Sequence, residues 1–230
     1  MKPEHSERFA EQGYLRLEYF HPKDRMMRIK QKVLDEIKRG SDGRSMSRSM
    51  RGVPIFQQIA KLSGRVNVVG LHEELVTPEL IDIVIRLGGR APSTVQRTQL
   101  LLSPPSQGAW TLEGLNWHVD MAVNPRDQVK GIQAFFLIDD VAPHGGATLA
   151  LAGSHRVGMP RAPSVAQLRG SLRDSADLEC RLGELGIGII EMSGRTGDVF
   201  MMDMRLLHTP SINSTKSMRM MATSRCFLDA

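Results

Sequence analysis

Hydrophobic positions along the chain change period about two fifths of the way through it. In "KDRMMRIKQKVLDEIKRG", Met26, Met27, Ile29, Val33, Leu34 and Ile37 recur at helical spacing up to Gly40, which predicts a helix over 23–40. "TPELIDIVIRLGG", 77–89, predicts a second helix. Thr77 caps it, Pro78 suits a first turn that needs no amide donor, and Gly88–Gly89 ends it. Nearer the start, "SERFAEQG" predicts a short helix capped by Ser6 and closed by Gly13. "YLRLEYF", 14–20, alternates as a strand.

After about residue 94 the helical period gives way to short β-type runs divided by Gly, Pro, Asn and Asp. These are "TVQRTQLLLS", "QVKGIQAFFLIDDV", "GATLALAG", "GIIEMS", "GDVFMMDM" and "SMRMMATSRCFL". Residues 163–186 interrupt them with a helical insertion. Helices followed by many short strands predict a mainly β (α+β) chain with a sandwich or barrel at its centre. One domain is expected over 1–230, with a mostly helical part to residue 93 and a β core over 94–230. The paired and alternating methionines at 201, 202, 204, 218, 220 and 221 read as core filler.

Composition narrows the function classes. The 230 residues are 41% hydrophobic and 24% charged, the balance of a globular domain. No apolar run approaches the ~18–20 residues that span a bilayer, so no membrane partner is expected. "MKPEHSERFAEQGY" lacks the apolar centre of a secretory signal, which makes a cytoplasmic location the default. Cys180 and Cys226 are too few for a disulfide scaffold or a cysteine zinc site, and read as reduced thiols. The net charge of +5 is partly concentrated in "KRGSDGRSMSRSMRG", 38–52. Without aromatic residues for base stacking, this run reads as a solvated loop, which argues against nucleic acid. An acidic small-molecule substrate also suits the charge. Nothing in the chain sets an oligomeric state.

"NWHVDMAV", 116–123, carries the first chemistry. Two positions apart on a strand, His118 and Asp120 project to one side and offer mixed nitrogen and oxygen donors to a metal. Alone this is weak, since chance supplies about 0.4 such pairs in a chain with this many His and Asp. A third ligand decides the matter, and His144, His155 and His208 are the candidates. His208 follows the strand "GDVFMMDMRLL" and precedes the turn "TPSINS", where strand ends gather ligands. Arg219 lies eleven residues later in the last strand. A buried guanidinium there requires an anion, and its forked donors fit a carboxylate.

His118-x-Asp120, His208 and Arg219 together resemble the iron(II)/2-oxoglutarate dioxygenases, and more narrowly the phytanoyl-CoA dioxygenase family. "FAEQGYLRLEYF" resembles that family's opening helix and strand, and "GGATLALAGSHRVG" its Gly-Ser-His segment. "GDVFMMDMRLLHTPSINSTKSMRM" resembles the block bearing the distal histidine and the arginine. The resemblance implies a double-stranded β-helix (jelly-roll) with N-terminal helices packed on one sheet. It implies Fe(II) held by His118, Asp120 and His208, and 2-oxoglutarate paired through Arg219. O2 completes the reaction, which hydroxylates an unactivated C–H bond of a small molecule and releases succinate and CO2. Related halogenases have Gly or Ala at the Asp120 position, so the carboxylate implies hydroxylation, or a desaturation or cyclisation sharing the same hydrogen abstraction. Members in specialised metabolism make a natural-product substrate the expectation. One departure is Pro210 two positions after the distal histidine, where the family often has serine; here Ser211 comes next.

Other positions carry expectations. Gln99 and Thr148 are expected to face the barrel interior beside the cosubstrate, Trp110 to wall the substrate entrance, and Arg205 to meet an anionic substrate. Trp117 reads as core and His144 as a turn residue; because the triad is already complete, His155 reads as structural, as a support to the ligands, or as a residue on the substrate side. Three rivals remain: a cupin-like metal enzyme that ignores 2-oxoglutarate, a non-catalytic barrel that binds without turnover, and, on the basic 38–52 run alone, a hydroxylase of nucleic acid or protein.

Overall fold

The computed structural model describes residues 3–40, 52–121, 128–160, 162–173 and 177–228. Most of the basic 38–52 run therefore lies outside the described residues. The elements in chain order are α1 (Pro3–Gln12), β1 (Tyr14–Leu17), α2 (Lys23–Gly40), α3 (Ile55–Ser63), α4 (Leu71–Leu75) and α5 (Pro78–Gly88). There follow β2 (Thr94–Val95), β3 (Gln99–Ser103), β4 (Gly131–Leu137), β5 (Thr148–Ala152), α6 (Val165–Arg173), α7 (Leu178–Glu184), β6 (Gly188–Glu191), β7 (Val199–Asp203), β8 (His208–Pro210) and β9 (Arg219–Phe227).

Two antiparallel sheets face each other. The larger runs β1-β7-β4-β9, and both β2 and β3 pair in succession with the far edge of β9. The smaller runs β6-β5-β8. The strands β4, β7 and β9 show almost no polar alternation because both faces of the large sheet are covered. Sorting their side chains by packing restores the period of two. Ile132, Ala134 and Phe136 of β4, Val199 and Met201 of β7, and Met220, Ala222 and Cys226 of β9 pack against the N-terminal helices. Phe135, Leu137, Phe200, Met202 and Met221 point the other way, into the space between the sheets. A third cluster, with Leu151, Leu168, Leu178 and Leu182, joins α6 and α7 to the outer face of the small sheet; Trp117 packs there, as expected of a core residue. The layers are helices, large sheet, small sheet and helical insertion, the jelly-roll arrangement. Met201, Met202, Met204, Met220 and Met221 are buried within it, while Met218 is only partly buried. Neither cysteine is in a disulfide. No helix among the described residues is long and apolar enough to cross a membrane.

Local signals account for most boundaries. Thr77 Oγ1 accepts from the Leu80 amide, and Gly89 closes α5 at φ 75°. The first helix begins at Pro3 rather than at a Ser6 cap, since a proline fits the donor-free first turn three residues earlier. It stops at Gly13, where φ is 78° and a Cβ would stand 2.6 Å from His155 Nδ1. The strand expected over 14–20 ends at Leu17. Tyr19 takes φ 52°, and buried Asp198 gathers the Tyr19 amide (2.8 Å), the Arg195 amide (2.9 Å) and Arg16 Nη2 (2.6 Å). The insertion divides into two short helices, α6 and α7. The helices α3 and α4 are not anticipated by the strongest periodic signals; α3 packs on β3 and brings Phe56, Ile59 and Ser63 to the central cavity.

His21 makes acid stability testable. It is 2% exposed, with Phe20 edge-on at 4.9 Å and Phe136 at 5.7 Å. Burial, and then the Arg25 charge, pulls it from 6.5 to about 4. Between those values the unfolded chain binds the proton and the folded chain does not. Stability from this group is therefore complete above pH 6.5 and is lost as pH falls towards 4. The loss is on the order of 2 kcal/mol by pH 4.5. Urea melts of wild type and His21→Gln at pH 7 and pH 4.5 check this, with a smaller pH effect expected in the variant.

Candidate active site

The site forms where the chain before β4 meets the end of the small sheet. Residues 116–121 do not make a regular strand. Instead His118 forms a single antiparallel bridge to His208 on the edge of β8 away from β5, through His118 N–His208 O (3.0 Å) and His208 N–His118 O (2.9 Å). Asp120 continues this path with its amide on Met204 O at 3.2 Å. One bridge suffices to bring three donors together: ligand atoms of His118, Asp120 and His208 lie within 4.8 Å of one another. They are the one such His/Cys/Asp/Glu group among the described residues.

Backbone carbonyls orient both imidazoles. His118 Nδ1 lies 3.0 Å from Asn116 O, and His208 Nδ1 lies 3.0 Å from Leu206 O. A carbonyl only accepts, so each Nδ1 carries the proton and each Nε2 is left with a lone pair. The two rings stand 4.4 Å apart. Asp120 Oδ2 sits 3.7 Å from His208 Nε2. Burial lowers the pKa of His208, which favours the neutral, ligating form. Two imidazoles and a carboxylate on one side suit a divalent transition metal with positions left open.

Arg225 was not foreseen. Its Nε donates to Asp120 Oδ2 at 2.9 Å. The guanidinium fixes the carboxylate while leaving lone pairs for a metal. A sequence signal does exist: Arg219 and Arg225 are six apart on one strand, hence on the same face. Arg225→Met is expected to weaken Mn(II) binding by about tenfold in calorimetric titration, the effect of releasing a ligand from its orienting partner.

A cavity of about 690 Å³ extends from the histidine pair between the sheets, lined by His118, His208, Thr148, Gln99, Arg219 and Arg225 among others. Gln99 and Thr148 both face it, Thr148 from a buried position. Arg219 is 3% exposed. Its Nη1 touches Met221 Sδ at 3.2 Å, while Nε and Nη2 are buried without a hydrogen-bond partner. Burial lowers its pKa to about 9, so it stays charged at neutral pH. A buried cation with idle donors in this cavity fits a ligand carboxylate.

Other expected residues fall elsewhere. Arg205 is not among the cavity-lining residues; Asp203 holds it, with Nη2–Oδ2 at 2.7 Å and Nε–Oδ1 at 3.0 Å. Trp110 is also outside the lining and stacks on His144 at 4.2 Å. His144 is a turn residue at φ 59°. His155 fastens α1 through Nε2 to Ala10 O at 3.0 Å. Pro210 lines the cavity, and Ser211 turns its hydroxyl to Ala147 O at 2.7 Å.

The model of the family described as phytanoyl-CoA dioxygenase (PhyH) matches residues 9–221. The chain belongs to that family. It is thus an enzyme of the 2-oxoglutarate-dependent oxygenase group. No curated protein sequence matches it. Solved structures share the fold at low identity. The α-ketoglutarate-dependent carbocyclase SnoK of nogalamycin biosynthesis is 20% identical with TM-score 0.63, over 99% of this chain and 84% of that one. The epimerase SnoN, solved with Fe3+, α-ketoglutarate and nogalamycin RO, is 16% identical with TM-score 0.60, over 97% and 82%. EctD from S. alaskensis, with 2-oxoglutarate and 5-hydroxyectoine, is 17% identical with TM-score 0.61, over 99% and 76%.

Proposed function

We propose that this PhyH-family chain binds Fe(II) through His118, Asp120 and His208, and 2-oxoglutarate through Arg219. With O2 it hydroxylates an unactivated C–H bond of a small organic molecule in specialised metabolism. The observation that carries this reading is a three-donor cluster, two of whose members line the cavity, facing a buried guanidinium in that cavity whose Nε and Nη2 have no hydrogen-bond partner. Bound iron supplies the oxygen chemistry that cleaves the C–H bond. The residues do the rest. Arg219 takes the far carboxylate of the cosubstrate and so fixes its keto-acid end towards the histidines. Arg225 holds Asp120 in its ligating pose. The apolar walls between the sheets, such as Leu101 and Phe135, exclude water from the reacting atoms. Asp120 fills the position that halogenases leave open, which favours oxygen transfer to substrate.

Relatives of similar fold include a carbocyclase and an epimerase, so product analysis is the discriminating test. In a screen of candidate substrates, succinate is expected only when 2-oxoglutarate is present. The product should gain one oxygen atom from labelled O2. A product that loses two hydrogens without gaining oxygen would replace hydroxylation by desaturation or ring closure. Turnover without 2-oxoglutarate would favour a cupin-like enzyme.

A further inference from the structure

The cavity has a charge pattern that the metal and cosubstrate do not use up. Along the inward face of β9, Arg219 and Arg225 lie six residues apart, about 20 Å of strand. The Gln96 amide donates to Arg225 O at 2.8 Å, which sets Arg97 beside the Arg225 end. Arg97, Gln99 and Leu101, at alternate positions, all line the cavity. Arg97 is exposed and makes no hydrogen bond or ion pair with the described residues. The Thr98 amide donates to His72 Nδ1 at 3.3 Å, so the proton of this cavity-lining ring sits on Nε2 as a further donor. No aspartate or glutamate is among the cavity-lining residues described.

The charges then do not balance. A divalent ion and a 2-oxoglutarate dianion cancel each other, and Asp120 offsets one arginine. Two guanidinium charges remain, and Arg97 is the one with no partner among the described residues. Resting on the function proposed above, we infer that the substrate is an organic anion whose carboxylate or phosphate seats on Arg97, with His72 Nε2–H as neighbour. Its apolar body lies against Phe56, Ile59 and Leu101 and reaches towards the histidine pair. An oxyanion on Arg97 takes up one of the two charges and fixes which end of the substrate enters first.

The test uses two dyes of one skeleton, anilinonaphthalene sulfonate and neutral N-phenylnaphthylamine, on protein loaded with Mn(II) and 2-oxoglutarate. The sulfonate is expected to bind roughly tenfold more tightly. Arg97→Gln removes that preference and Arg97→Lys keeps most of it, while neutral-dye affinity is the same in all three proteins. Hexanoate or hexyl phosphate displaces the sulfonate, the better competitor telling a carboxylic acid from a phosphate ester, and hexanamide at the same concentration does not. Equal affinities for the two dyes, an unchanged preference in Arg97→Gln, or equal displacement by hexanamide overturns the inference. Calorimetry of 2-oxoglutarate on the same samples separates the two levels. Absent cosubstrate binding sinks the proposed function, whereas intact cosubstrate binding with no anion preference sinks only the assignment of Arg97.

Discussion

His208→Ala is expected to remove Mn(II) or Fe(II) binding and succinate formation together. His208 supplies one of three donors, and its backbone is also the partner of His118 in the only bridge joining residues 116–121 to the small sheet among the described residues. The backbone bridge survives the substitution, since N–H and C=O remain. The loss is thus confined to the Nε2 lone pair and a small buried volume. Metal affinity should fall by more than about 100-fold, beyond what a lost orienting partner costs. Urea melts of the metal-free proteins should differ by about 2 kcal/mol or less, since the ring is small and its Nδ1 partner is a single carbonyl. Anaerobic titration calorimetry and a succinate assay on the same preparation check both parts. Full activity in the variant would move the third ligand to another residue.

Arg219→Met separates stability from function with opposite signs. The guanidinium is buried, lacks a carboxylate, and leaves Nε and Nη2 idle. Methionine has similar length and no charge, and its sulfur fits beside Met221. Without ligand, the variant should be more stable than wild type by about 1–3 kcal/mol in urea. Adding 2-oxoglutarate at about 100 times its Kd should raise wild-type stability by about 2.7 kcal/mol and leave the variant unchanged. Turnover at that 2-oxoglutarate concentration should be lost. A variant that is less stable and still stabilised by 2-oxoglutarate would mean that another residue pairs with the far carboxylate.

The sequence exposes this architecture unevenly, for physical reasons. The helices α2 and α5 are legible because one face of each is buried and Thr77, Pro78 and Gly89 mark the ends of α5. The strands are legible from their punctuation, but their faces are not. In β4 every residue is buried, so hydrophobicity does not distinguish the helix side from the barrel interior. The helix α3 is short and held by β3, a contact between residues far apart in sequence, although Ile55, Ile59 and Leu62 after Pro54 carry a faint period. His118 and Asp120 are readable as a pair, yet His118 sits on an isolated bridge and Asp120 on a bend rather than on a strand, because a turn-rich loop with Gly108 and Gly114 leads into them. The expectation that Arg205 meets substrate overlooks Asp203, two residues away and on the same side, which binds it first. For Arg225 the opposite happened. A strand arginine looks solvent-facing until the even spacing from Arg219 is noticed.

Anaerobic absorption spectroscopy of the Fe(II) protein tests the central claim most directly. Adding 2-oxoglutarate to the wild type should produce a visible charge-transfer band. The band should be absent from His208→Ala and should need far more 2-oxoglutarate in Arg219→Met. Wild-type protein that holds Fe(II) yet gives no band at saturating 2-oxoglutarate would contradict the joint site of His118, Asp120, His208 and Arg219.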